Sequence, residues 1–240
     1  MRDSGALLDA SREWVIRWAI DTDDEDTAVF SLGRRLARGS RMKAELEMRR
    51  PRDGARSLTL HPGGLMVRDD DGLAALCATA AKDFALDAIV PDTFELALGP
   101  EELERRAKTD AFPFVAANLF LRPEGAAEPK RPFPRYRLES IDGLDVAIVG
   151  LVGRDRLAPL PAAVRNRWVV ADARTELERT LDVIRDRLGR RPDVTIALVS
   201  ADELTKTSLQ IVSNVDIIVG GYSRHGLLAT TDSVRIDPAR

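Results

Sequence analysis

Imidazole and thiol are scarce in this chain: its 240 residues include two histidines, His61 and His225, and one cysteine, Cys77. A lone thiol excludes an intrachain disulfide, and its setting in Leu73-Ala-Ala-Leu-Cys-Ala-Thr-Ala-Ala81 reads as a small packed residue with no redox role. Long apolar runs are missing as well. Nothing approaches the roughly 20 apolar residues that a membrane-crossing helix needs, so no membrane insertion is expected. The first residues, Met1-Arg-Asp-Ser-Gly-Ala-Leu-Leu-Asp-Ala-Ser-Arg-Glu-Trp14, are broken by Asp9, Arg12 and Glu13 and do not form the apolar core of a signal peptide. The expectation is a cytoplasmic protein, or a periplasmic one only if a leader was removed. A strong charge of one sign is lacking too. The formal net charge is -3, which sets up no field to gather nucleic acid or an anionic membrane.

What is present is a globular composition: 44% hydrophobic residues, 5% aromatic and 31% charged, with acids and bases interleaved. Arg185, Arg187, Arg190 and Arg191 are spaced by acids and read as a solvated helix face. The length suits one large α/β domain, and a chain of this size buries enough surface to need neither disulfide nor metal for its core. Residues 1–13 read as an N-terminal extension and 14–240 as one domain.

Short apolar runs alternate with helix-period segments. Trp14–Ile20 predicts a strand, 29–49 a helix, Ser57–His61 a strand ended by Pro62-Gly-Gly64, 72–85 a small-residue helix, and Asp87–Val90 a strand stopped by Pro91. Pro100 with Glu101 and Glu102 opens a short helix. Phe114–Leu119 predicts a strand, Lys130–Pro134 a loop, and Tyr136–Ile141 with Val146–Val152 a hairpin about Asp142-Gly143. Asp172 is the expected N-cap of an amphipathic helix carrying Leu177, Leu181, Ile184 and Leu188 on one face, stopped by Gly189. Strands Thr195–Val199 and Asp216–Val219 flank a helical stretch, Glu203–Val212. In sheets of this kind ligands gather at the carboxyl ends of strands, which directs attention to the loops after Ile20, His61, Val90, Val199 and Val219.

Four stretches, in order, resemble the N-terminal domain of the 5'-nucleotidase group of calcineurin-like metallophosphoesterases. Asp87-Ala-Ile-Val-Pro-Asp-Thr-Phe-Glu-Leu-Ala-Leu-Gly-Pro-Glu-Glu-Leu103 is similar to D-A-x-x-x-G-N-H-E-F-D-x-G-x-E-x-L. Phe112-Pro-Phe-Val-Ala-Ala-Asn-Leu119 is similar to F-P-x-L-A-A-N-I, and Gly143-Leu-Asp-Val-Ala-Ile-Val-Gly-Leu151 to G-V-K-V-G-V-I-G-L. Val215-Asp-Ile-Ile-Val-Gly-Gly-Tyr-Ser-Arg224 is similar to I-D-L-I-I-G-G-H-S-H. The resemblance covers residues 14–225 and implies a four-layer αββα sandwich of two mixed sheets.

That group's chemistry uses two metal ions that clamp a phosphate and acidify a bridging water, held by carboxylate, amide and imidazole ligands from several strand ends. Residue by residue, the resemblance implies that most of these ligands are replaced. D-x-H reads Asp21-Thr22-Asp23, so one ligand remains and a carboxylate replaces the imidazole. G-D reads Gly63-Gly64, and the Asn and His of G-N-H-E read Thr93 and Phe94, with Glu95 matching. S-H reads Ser200-Ala201, and G-H-S-H reads Gly221-Tyr222-Ser223-Arg224. The implied reading is a catalytically inactive relative acting as a structural or partner-binding subunit, with a protein partner or self-association. Asp21 and Asp23 are relics able to hold a divalent cation such as Mn, Mg or Zn only weakly.

Two alternatives stay open: a metal-dependent phosphoesterase with a remodelled site, and a nucleotide or phosphate sensor through Arg224, whose guanidinium can grip phosphate with two hydrogen bonds. Phe94, Tyr222 and Arg224 are also suited to fill the vacated centre, Arg224 pairing with Asp21 or Asp23. The blander readings are a solvated acidic loop over 21–26 and ordinary packing for Phe94 and Tyr222. Gly63-Gly64 lacks the Lys and Ser or Thr of a phosphate loop, and Ser200 with His225 lacks the strained turn of a nucleophile. The group's C-terminal nucleotide-binding domain has no room before Arg240 in this reading, and 233–237 is the expected last strand.

Overall fold

The computed structural model describes residues 16–18, 58–64, 86–109, 111–122, 128–141, 143–201, 209 and 214–220, the first of these as backbone only. Strands β1 (Ile16–Trp18), β2 (Leu58–His61) and β3 (Ala88–Ile89) form a parallel sheet in that order, with Ile16 opposite Leu58 and Leu60 opposite Ala88. Helices α1 (Thr93–Ala97) and α2 (Pro100–Thr109) follow, then β4 (Leu119–Leu121). Next come the hairpin β5 (Tyr136–Ile141) and β6 (Leu144–Val152), a 3-10 turn at Arg154–Leu157, α3 (Ala162–Arg165) and β7 (Trp168–Val170). Helix α4 (Ala173–Leu188), β8 (Val194–Ser200) and β9 (Ile217–Gly220) complete the described elements.

The second sheet runs β5-β6-β8-β9. The hairpin pair is antiparallel and the other two pairs are parallel, so the sheet is mixed as the sequence implied. Strand alternation divides its side chains between two cores. Val146, Ile148, Val152, Ile196 and Leu198 lie with Leu58, Leu60 and Ile89 of the first sheet. Ala147, Val149, Leu151, Ala197 and Val199 face Leu177 and Ile184 of α4. Strands apolar on both faces are what a sheet covered on both sides requires. The two larger sheets, a two-stranded sheet of β4 and β7, and the α4 layer are thus in place among the described residues. The helices expected over 29–49 and 72–85, which would form the remaining outer layer, lie outside them, as does 233–237. Of the helix expected over Glu203–Val212 only Leu209 is described, helical and buried.

Helix α4 has the anticipated ends. The Asp172 side chain accepts a hydrogen bond from Thr175 N, and Gly189 closes the last turn at φ +70°, a left-handed conformation that glycine adopts without a Cβ clash.

One expected strand is displaced. Phe114 makes a single bridge to Ile89, and the paired strand is β4, antiparallel to β7. The backbone donors explain the shift: Val115 N donates to Ile89 O, Ala116 N to Pro134 O and Ala117 N to Gly150 O, so the segment leaves one sheet and reaches the other. Asn118, fully buried, completes the crossing. Its side-chain amide donates to Val152 O and Ala171 O and its Oδ1 accepts from Val152 N.

Candidate functional site at the strand ends

Because β2, β3, β6 and β8 run in parallel pairs within their sheets, the residues following them gather into one cluster. After β2 the chain turns at Gly63, with φ +106°; a Cβ there would lie 2.5 Å from Val90 O and 2.6 Å from Asp92 Cβ, so only glycine lets the two loops approach. His61, 3% exposed, accepts from Gly63 N through Nδ1 at 3.0 Å. Burial pushes its pKa down to about 3, because the imidazolium would lose its hydration. His61 is therefore neutral and serves the turn.

After β3, Asp92 caps α1 by accepting from Thr93 N, and Glu95 reaches back to accept from Asp92 N at 2.9 Å. This is a capping box, an N-terminal device in which two backbone donors are satisfied reciprocally. Glu95 Oε2 also accepts from Gly64 N at 2.9 Å, tying the β2 loop to the β3 loop. Thr93 Oγ1 donates to Arg156 O at 3.0 Å, which ties α1 to the turn after β6. Arg156 Nη1 lies 3.7 Å from Asp92 Oδ1, and its Nε lies 3.1 Å from Asp155 Oδ2. Gly153 N donates to Ser200 O at 2.6 Å, and a Cβ on Gly153 would sit 2.6 Å from Ala201 Cβ, so the β8 end joins the same cluster. Ser200 Oγ is buried and has no hydrogen-bond partner among the described residues.

The structure places Gly64, Thr93, Phe94 and Ala201 at neighbouring strand ends. Thr93 and Phe94 are half-buried and sit in the first turn of α1, which the sequence reading treated as a loop. The signal for that helix was present in Asp92-Thr-Phe-Glu95, the spacing of a capping box. Asp21, Asp23, Tyr222, Arg224 and His225 lie outside the described residues.

Asp92, Asp155 and Arg156 are site residues that the sequence reading missed. Read as half of a hairpin, β6 draws attention to its turn at Gly143 and away from its carboxyl end. Pairing in parallel with β8 places the end of β6 beside the end of β8, and the hydrogen bond from Thr93 Oγ1 to Arg156 O ties it to the loop after β3.

A two-metal centre does not fit the described part of this cluster. Gly64 and Ala201 carry no side-chain ligand atom, Glu95 Oε2 is taken by two backbone N–H groups, and Asp92 is engaged as a helix cap beside a guanidinium. Among the described residues no three His, Cys, Asp or Glu side chains surround a common point.

No family model and no curated protein matches the chain. Solved structures do. A calcineurin-like phosphoesterase of Bacillus subtilis superposes with a TM-score of 0.63 at 18% identity, covering 93% of this chain and 75% of that one. The NAD nucleotidase of Haemophilus influenzae gives 0.60 at 18% identity over 77% of this chain and 32% of that one, so this chain spans about a third of its length. A phosphatase of Mycoplasma pneumoniae gives 0.53 at 15% identity, covering 88% and 64%. At these identities the likeness is one of fold, and in fold the chain is a metallophosphoesterase-like domain.

Proposed function

We propose that this domain is non-catalytic and acts as a structural or partner-binding subunit built on the metallophosphoesterase fold. The observation that supports this most directly is the lack of side-chain donors at the strand ends: Gly64 and Ala201 stand where the resemblance places a carboxylate and an imidazole ligand. Glu95, the position of G-N-H-E that matches, turns one oxygen to the backbone: Oε2 accepts from Gly64 N and Asp92 N, each at 2.9 Å, and so stitches two strand-end loops together. Hydrolysis in this fold needs ligands that converge on metal from those loops. Here the loops converge on each other.

The test is the metal content and turnover of the purified protein after manganese loading and desalting. Close to zero ions per chain, with no hydrolysis of a generic phosphodiester, is the expected result. One or two retained ions, with turnover that Asp21→Ala abolishes, would replace this reading by that of a phosphoesterase with a remodelled site. The partner-binding role predicts association in solution, either with a copurifying protein or with a second copy. The sensor role assigned to Arg224 is tested separately: thermal stabilisation by a nucleotide or inorganic phosphate that Arg224→Ala removes.

A further inference from the structure

We infer that the Arg156 guanidinium stands in this site as an internal counter-cation, the positive charge about which the strand-end loops close in place of a bound metal ion. The inference deepens the non-catalytic reading above and rests on it.

Two carboxylates from different strand ends face the same guanidinium. Asp92, from the end of β3, has an 8% exposed side chain and lies 3.7 Å away; Asp155, beyond β6, is 32% exposed and lies 3.1 Å away. Drawing two acids together in a half-buried cleft is unfavourable unless a cation sits between them. Arg156 itself is 24% exposed, enough to keep part of its hydration. Its Nε is buried without an aligned hydrogen bond, so its contact with Asp155 is Coulombic, like that of an ion held among carboxylates.

The backbone around Arg156 is anchored independently. Its carbonyl accepts from Thr93 Oγ1, the position that matches an amide ligand in the resemblance, and Trp168 Nε1 fixes α1 from its other side by donating to Leu96 O at 3.1 Å. Small residues make room for the arrangement. A Cβ on Gly153 would overlap Asp155 Oδ1 and crowd Ala201, so Asp155 packs here only because 153 has no side chain and 201 carries a single methyl.

The experiment follows thermal unfolding of the full chain against manganese chloride for the wild type, Arg156→Gln and Arg156→Lys. The expected result is a wild type and a lysine variant indifferent to manganese, and a glutamine variant that unfolds at lower temperature and is rescued by the ion. Its rescue midpoint should lie at least about tenfold below any response of the wild type, the scale on which partner groups tune metal affinity. A glutamine variant that is folded and indifferent to manganese would overturn the inference, as would a wild type with the same midpoint. If Arg156→Gln does not fold, Asp92→Asn is added, since asparagine caps a helix as well as aspartate does. Recovery of folding supports the counter-cation role, and no recovery overturns it. Phosphodiester turnover by the wild type would sink the non-catalytic reading, whereas failure of the manganese comparison in a protein without turnover sinks this inference alone.

Discussion

Gly64 and Glu95, which lie after different strands, are joined at 2.9 Å by a hydrogen bond from the backbone N–H of the first to the carboxylate of the second. Since Asp92 N donates to the same oxygen, Glu95→Ala strands two donors in a site where Glu95 is fully buried. Losing the acceptor of buried donors costs on the order of 2 to 4 kcal/mol for such a pair. Urea denaturation with an unchanged slope should show that loss, and Glu95→Gln, which keeps an acceptor oxygen, should lose less. An alanine variant as stable as the wild type would mean the two loops do not depend on this carboxylate.

The buried His61 should impose a pH dependence on stability. Its pKa is about 3 in the fold against an ordinary 6.5, so between those values the unfolded chain binds the extra proton. The contribution is fully present above pH 6.5 and is lost as pH falls toward 3, at about 1.4 kcal/mol per pH unit within that window. Asp87 acts in the opposite sense: burial raises its pKa, so what it contributes is lost as pH rises through the carboxylate range. The informative measurement is therefore the difference between wild type and His61→Asn, followed by chemical denaturation from pH 7 to 4. Parallel profiles would rule out a buried neutral imidazole.

Two glycines in left-handed conformations should respond unequally to alanine. At Gly189 the space around a new Cβ is open, and the cost is about 1 kcal/mol of backbone strain. At Gly63 the Cβ would also press on Val90 O and Asp92, so the cost should reach about 3 kcal/mol or more. Equal losses in denaturant midpoint would show that the loops after β2 and β3 are not in close approach.

Asn118 should be among the most sensitive positions. Asn118→Leu removes two donated and one accepted hydrogen bond and leaves Val152 N and Ala171 O without their partner. A loss of about 3 to 5 kcal/mol is expected, read as a fall in melting temperature and faster amide exchange at Val152. A neutral outcome would mean the crossing segment is held by its backbone alone.

Much of the secondary structure was legible because its causes are local. The three- and four-residue spacing of Leu177, Leu181, Ile184 and Leu188, the Asp172 cap and the Gly189 stop define α4 within a few turns of chain. The apolar run Ile196-Ala-Leu-Val199 within β8 announces a strand covered on both faces. Gly64, Thr93, Phe94 and Ala201 are the positions that the resemblance singles out among the described residues, and the structure places them at adjoining strand ends. Other features were open to a closer reading, such as α1, whose capping box stands in Asp92-Thr-Phe-Glu95.

By itself the sequence determined the α/β alternation, the hairpin turn at Gly143 and the identities left at the strand ends, since these rest on propensity, periodicity and residue chemistry over short stretches. Only the tertiary structure decided that 114–118 crosses between sheets, that β6 runs parallel to β8, and that Arg156 meets Asp92. Those choices depend on which distant backbone groups satisfy one another and which charges are brought together, and neither is encoded in the spacing of neighbours along the chain.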